Sequence, residues 1–164
     1  MNKKLEYMLK YVDTQVVFRE IPNEITLAIN ISNCPHKCKG CHSPYLQEDA
    51  GKTLDWGALN ALIHINHGIT CVCFMGGDAS IEEINKLAQH IRSSFPHLLI
   101  AIYSGNDKVP EKLNTKYFDF IKVGHYDKEK GPLNSKTTNQ SLWKLTRTKG
   151  CNTVHWENIT SLFW

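Results

Sequence analysis

The chain of 164 residues has no long hydrophobic run. Its longest, Leu98 to Tyr103, is six residues against the ~20 that a membrane-crossing helix needs. The charged start MNKKLEYMLKYVDTQ is followed by no apolar stretch of signal-peptide length. The expectation is a soluble, cytoplasmic protein. Charge of one sign is also scarce. A formal net charge of +3 is too small to argue for a polyanion, which recruits clustered Lys and Arg, so neither nucleic acid nor a membrane surface is an expected partner. There is no Walker phosphate loop, no H-E-x-x-H zinc site, no dinucleotide fingerprint and no nucleophile constellation. With 10 Gly, 6 Pro, 41% hydrophobic and 21% charged residues, disordered, collagenous and low-complexity classes are excluded. No repeat or linker divides the chain, so one domain is expected over 1–164, with a core of about 14–140 and a C-terminal extension over 141–164.

What is present begins with alternation. Ile25, Leu27, Ile29 and Ile31 share one face of a strand. Leu54, Ala58, Leu59, Leu62 and Ile63 recur at helical spacing, with Thr53 or Asp55 to cap the start and Gly68 to close the end. A compact run from Ile69 to Met75 predicts a buried strand that stops at Gly76-Gly77-Asp78. Ser80 with Glu83 predicts a capping box before a helix whose stripe is Ile81, Ile84, Leu87, Ala88 and Ile91. Leu98 to Tyr103 and Phe118 to Val123 predict two more strands, with a short helix around 110–116 between them, whereas 125–150 reads as polar loop. This order predicts an α/β fold with a mainly parallel sheet forming a partial (β/α) barrel. The Cys-rich loop, Gly76-Gly77-Asp78, Ser104-Gly105 and Gly124-His125 all follow strands, and ligands bind at that edge of parallel sheets.

Six cysteines are present, and three crowd into Cys34-Pro35-His36-Lys37-Cys38-Lys39-Gly40-Cys41-His42, a C-x3-C-x2-C loop. In a reducing compartment such crowding points to metal chemistry rather than disulfides. A cubane cluster held by three thiolates leaves one iron open to a substrate. Gly40 suits such a loop by allowing close backbone approach or a positive φ. Structural zinc, with His36 or His42 as fourth ligand, is the rival. Ligand softness and count favour the cluster. Cys38-Lys39-Gly40-Cys41-His42 also matches the c-type haem pattern, but that reading leaves Cys34 unexplained. Cys71 and Cys73, two apart on a strand and pointing the same way, allow a second metal or redox site, but such cysteines more often read as small buried hydrophobes. Ile159, Leu162, Phe163 and Trp164 read as packing on the core, with a docking foot as the alternative.

The triple-Cys loop, the Gly-Gly-acidic turn and the α/β order resemble the radical S-adenosylmethionine superfamily. Cys41-His42-Ser43-Pro44, Met75-Gly76-Gly77-Asp78 and the stretch from Gly131 to Gln140 are similar to its glycyl-radical activases, in particular those of anaerobic ribonucleoside-triphosphate reductase. The resemblance runs from about 14 to 140. It implies a radical S-adenosylmethionine-type barrel and a 4Fe-4S cluster on Cys34, Cys38 and Cys41, whose open iron chelates S-adenosyl-L-methionine. It also implies cofactor contacts from Gly40, Cys41, His42, Gly76, Gly77, Asp78, Ser104 and Gly105, with Asp78 fixing its turn or meeting the cofactor's ammonium. Reductive cleavage of that cofactor would yield a radical that takes hydrogen from a glycine of the reductase. The implied partners are the reductase and an electron donor such as flavodoxin or ferredoxin. Other glycyl-radical activases and small-molecule radical enzymes share the same features. Ala79 stands where many relatives have Pro, and Ser135-Lys136-Thr137-Thr138 replaces the more familiar Arg-Gly-Ser-Ser.

Overall fold

The computed structural model describes residues 8–164, so Met1 to Tyr7 of the charged start lie outside the described residues. Eight strands form one sheet: β1 (Lys10–Val17), β2 (Thr26–Ile31), β3 (Lys52–Thr53), β4 (Cys71–Met75), β5 (Leu99–Tyr103), β6 (Phe120–Val123), β7 (Ser141–Arg147) and β8 (Val154–Asn158). The two α-helices among the described residues are α1 (Trp56–Ile65) and α2 (Ile81–Ser94). Neither is long and apolar enough to cross a membrane.

The sheet order is β3-β1-β2-β4-β5-β6-β7-β8. Its centre is parallel, with Leu27 opposite Val72, Cys73 opposite Ala101 and Ile102 opposite Ile121. Both flanks are antiparallel. This corrects the expected mainly parallel partial (β/α) barrel of the radical S-adenosylmethionine type: the fold is a mixed sheet with two helices. The reasons are local. A (β/α) barrel needs a helix after each strand, yet the connection from β5 to β6 contains only a 3-10 turn at Thr115–Tyr117 and no α-helix. The stretch expected to be loop supplies β7 and, after it, the chain adds β8. These flanking strands are polar along one face and escape detection by apolar runs because they border solvent.

Helix starts follow the expected chemistry in one case. Asp55 caps α1 by accepting from the Ala58 amide at 2.8 Å, a contact of the kind that stabilises a helix by about 1 kcal/mol. Ser80 occupies the cap position of α2 without a capping side-chain bond, so the anticipated capping box does not form. Both helices cover one face of the sheet. Leu59, Ile63, Ile84, Leu87 and Ile91 pack there with Leu27, Ile29, Val72, Phe74, Ile100 and Ile102. At the far end of α2, Arg92 pairs with Asp119, which also accepts from the Ile100 amide and lies 3.6 Å from Arg147.

The opposite face holds a smaller cluster of Ile21, Cys71, Cys73, Ala101, Phe120, Leu142 and Ile159, with Met75, Tyr103 and Phe163 packed against it. Cys71 and Cys73 are fully buried, as small core residues. The C-terminal residues divide: Ile159 is buried, whereas Leu162 is 59% and Trp164 53% exposed. Strand alternation carries this second face from Cys73 to Met75, from Ala101 to Tyr103 and from Phe120 to Lys122. At the carboxyl ends of the parallel strands it opens into a cavity.

Candidate metal centre

Each parallel strand ends in a loop that serves this edge. After β2 the chain enters the cysteine loop through Asn33, at φ +58°, a conformation that Asn tolerates better than most residues. The loop is closed at its base. Asn33 and Cys34 amides donate to the Glu48 and Leu46 carbonyls, and the Cys41 amide turns back to Cys38 O at 3.2 Å. All three loop cysteines are free thiols of intermediate exposure.

After β4 come Gly76 and Gly77, at φ +115° and +105°, values that residues with a Cβ rarely adopt. A Cβ on Gly77 would also stand 2.8 Å from Ile84 Cδ1. Glycine at 77 is therefore required both by its backbone conformation and by the close approach of α2. After β5, Ser104 and Gly105 meet Asp78: the carboxylate accepts from Ser104 Oγ at 2.7 Å and from the Gly105 amide at 2.8 Å.

A cavity of about 920 Å³ gathers these elements, within the range of small-molecule sites. Cys34, Cys41, His42, Gly76, Gly77, Asp78, Ser104 and Gly105 all line it. Cys38 and Gly40 do not; Gly40 backs onto the Lys128 side chain, where an added Cβ would lie 3.3 Å from Lys128 Cδ. His125, beyond β6, is turned to Asp107, with Nδ1 2.6 Å from its carboxylate. That bond holds the Asp107 carboxyl below its ordinary range.

The cavity wall also contains residues not anticipated from sequence, chiefly Lys122, Tyr103, Tyr126 and the Phe18-Arg19-Glu20 turn. Lys122 is 8% exposed. Its ammonium donates to the carbonyls of Ser104 at 3.1 Å and Gly124 at 2.9 Å. Desolvation pulls its pKa down to about 8, against the opposing pull of Asp78, Cys38, Cys73 and Cys34. A lysine within the apolar run Phe120-Ile121-Lys122-Val123 was the available signal, since a buried ammonium needs partners or a ligand. Tyr126 stacks at a tilt on His42, with ring centroids 4.7 Å apart. The Phe18 turn carried no comparable sequence signal.

The donor set suits an iron-sulfur cluster. Three soft thiols lie in one loop, and the Ser43 amide points at Cys41 Sγ from 3.4 Å, the kind of N–H contact that stabilises ligand sulfur. Burial raises the Cys34 thiol above its ordinary value, countered by its bond to the His36 carbonyl; binding metal would release that proton. The zinc alternative is poorly served. Among the described residues no three His, Cys, Asp or Glu side chains are gathered around one point, which holds equally for zinc and for a cluster; what disfavours zinc is that its candidate fourth ligand His36 is engaged through Nε2 by Asp78.

Three thiols in one loop, two of them lining a ligand-sized cavity, are the donor set of an iron-sulfur protein. In agreement, residues 25–146 match the family model of the 4Fe-4S single cluster domain, and the chain belongs to that family. No curated protein and no solved structure gives a significant match.

Proposed function

We propose that the chain is an S-adenosyl-L-methionine-dependent activase that installs a glycyl radical on anaerobic ribonucleoside-triphosphate reductase. The observation that carries this reading is the single cavity shared by Cys34, Cys41, the Gly76-Gly77 turn and the buried ammonium of Lys122. Cys34, Cys38 and Cys41 would hold the 4Fe-4S cluster, which when bound supplies the electron for reductive cleavage of the sulfonium.

The chain's own residues have separate tasks. Gly76 and Gly77 line the cavity without side chains; the Gly76 amide is committed to Tyr103 O and the Gly77 carbonyl to the Ser80 amide, so the Gly77 amide would be the group that meets an amino-acid moiety. Lys122 offers that moiety's carboxylate a cation from a desolvated wall, where a charge-assisted hydrogen bond is strong. Met75 and Tyr103 supply apolar surface and keep water from the reacting end. Cys41 and His42 line the cavity and would meet the adenine, as the resemblance implies. The open mouth, bordered by the exposed Phe18 and Leu162, leaves room for a macromolecular substrate to complete the wall.

Anaerobic incubation with S-adenosyl-L-methionine and dithionite tests the chemistry. Methionine and 5′-deoxyadenosine should appear together, and adding the reductase should give a glycyl doublet in electron paramagnetic resonance. Cleavage without that doublet, but with one on another glycyl-radical enzyme, would reassign the partner. No cleavage from the cluster-loaded chain would end the activase reading.

A further inference from the structure

His36 lies midway between Cys34 and Cys38, yet its imidazole does not line the cavity. It occupies the space beside Gly105 instead: a Cβ at position 105 would stand 2.5 Å from His36 Cδ2 and 3.0 Å from Cγ. The missing side chain is therefore what lets the ring sit there. From that seat Nε2 donates to Asp78 Oδ2 at 2.9 Å.

The same carboxylate already accepts from the Gly105 amide and Ser104 Oγ. A carboxylate offers about four acceptor positions, and three donors of the chain engage this one, whose side chain is only 4% exposed. Asp78 is thus committed to the protein rather than to a cofactor ammonium. One buried carboxylate joins the ends of β4 and β5 to the cysteine loop. The Cys34 end of that loop is tied by its amide to Leu46 O; its middle is tied to the sheet through His36.

We infer that His36 is a positioning residue for the metal centre. Seated on Gly105 and bonded to Asp78, it holds the Cys34–Cys38 segment against the strand ends, where the three thiols would take up the cluster. This rests on the cluster reading given above. Outer partners of metal ligands commonly contribute ten- to a hundred-fold to metal retention.

The test uses the anaerobically reconstituted full chain and the variants His36→Ala, His36→Gln, Gly105→Ala and, as a control on the exposed neighbour, Lys37→Ala. Iron release to a chelator and the spectrum of the reduced cluster are the readouts, with thermal melting of the apo chains as the check on folding. Wild type and Lys37→Ala should retain iron equally. His36→Ala and Gly105→Ala should release it about tenfold faster or more, with shifted g-values and similar melting. His36→Gln, whose amide keeps a donor for Asp78, should recover part of the loss. Release rates and spectra like wild type in both His36 variants would overturn the inference. Failure of the wild-type chain to take up iron would instead overturn the cluster reading on which it rests.

Discussion

Five of the six cysteines occupy two regions with opposite physical settings. Cys34, Cys38 and Cys41 sit in a loop with partial solvent access, and Cys34 and Cys41 line a ligand-sized cavity. Cys71 and Cys73 sit on a central strand, fully buried, where desolvation raises both thiols far above their ordinary value. Cysteine spacing alone does not separate the groups; the environment does. A thiolate is the metal ligand and the nucleophile, and burial opposes its formation on the strand. The strand pair packs as apolar volume.

The sharpest way to break this contrast is to remove one thiol from each region. Cys38→Ala should lose bound iron and all cofactor cleavage, measured by iron assay and by 5′-deoxyadenosine yield, and unchanged 5′-deoxyadenosine would refute its role. Second in size is reactivity. In the folded apo chain at pH 8, exposed Cys151 and the loop thiols should alkylate on the order of 100-fold faster than Cys71 and Cys73. Cys34 should trail Cys151. Timed mass spectrometry reads this directly, and equal labelling of Cys73 would contradict the buried assignment.

Lys122→Met should weaken binding of S-adenosyl-L-methionine about tenfold, from the loss of one charge-assisted hydrogen bond, as read by equilibrium binding. The pH dependence has a definite sign. Lys122 binds its proton less readily in the fold than when unfolded, with a folded pKa of about 8. Cofactor affinity should therefore fall as pH rises through about 8, while Lys122's own contribution to apo stability rises from there towards the ordinary lysine value. Urea melts of wild type and Lys122→Met should differ most at the acid end of that window. Smallest of all, Cys71→Ala and Cys73→Ala should each cost about 1 kcal/mol of stability and leave iron content unchanged.

The parallel core was legible because its strands are buried on both faces and read as short apolar runs: Cys71–Met75, Leu99–Tyr103 and Phe120–Val123. The same criterion missed β1, β7 and β8, whose polar residues face solvent, and so a mixed sheet looked like part of a barrel. That the loops after β2, β4 and β5 meet at one edge was legible, because each follows a strand. The roles of Asp78 and Gly105 were not, because they arise from a histidine 42 residues away from Asp78 in sequence, and no local pattern encodes that meeting. Lys122 lay in plain view as a charge within an apolar strand; its neighbours became apparent only once strand alternation placed it on the cavity face.

The most direct test of the whole account is reconstitution of the wild-type chain with iron and sulfide under oxygen-free conditions. The account predicts about four irons per chain, visible charge-transfer absorption that dithionite bleaches, and a paramagnetic reduced state. A folded, colourless chain that takes up one zinc and no iron would contradict it.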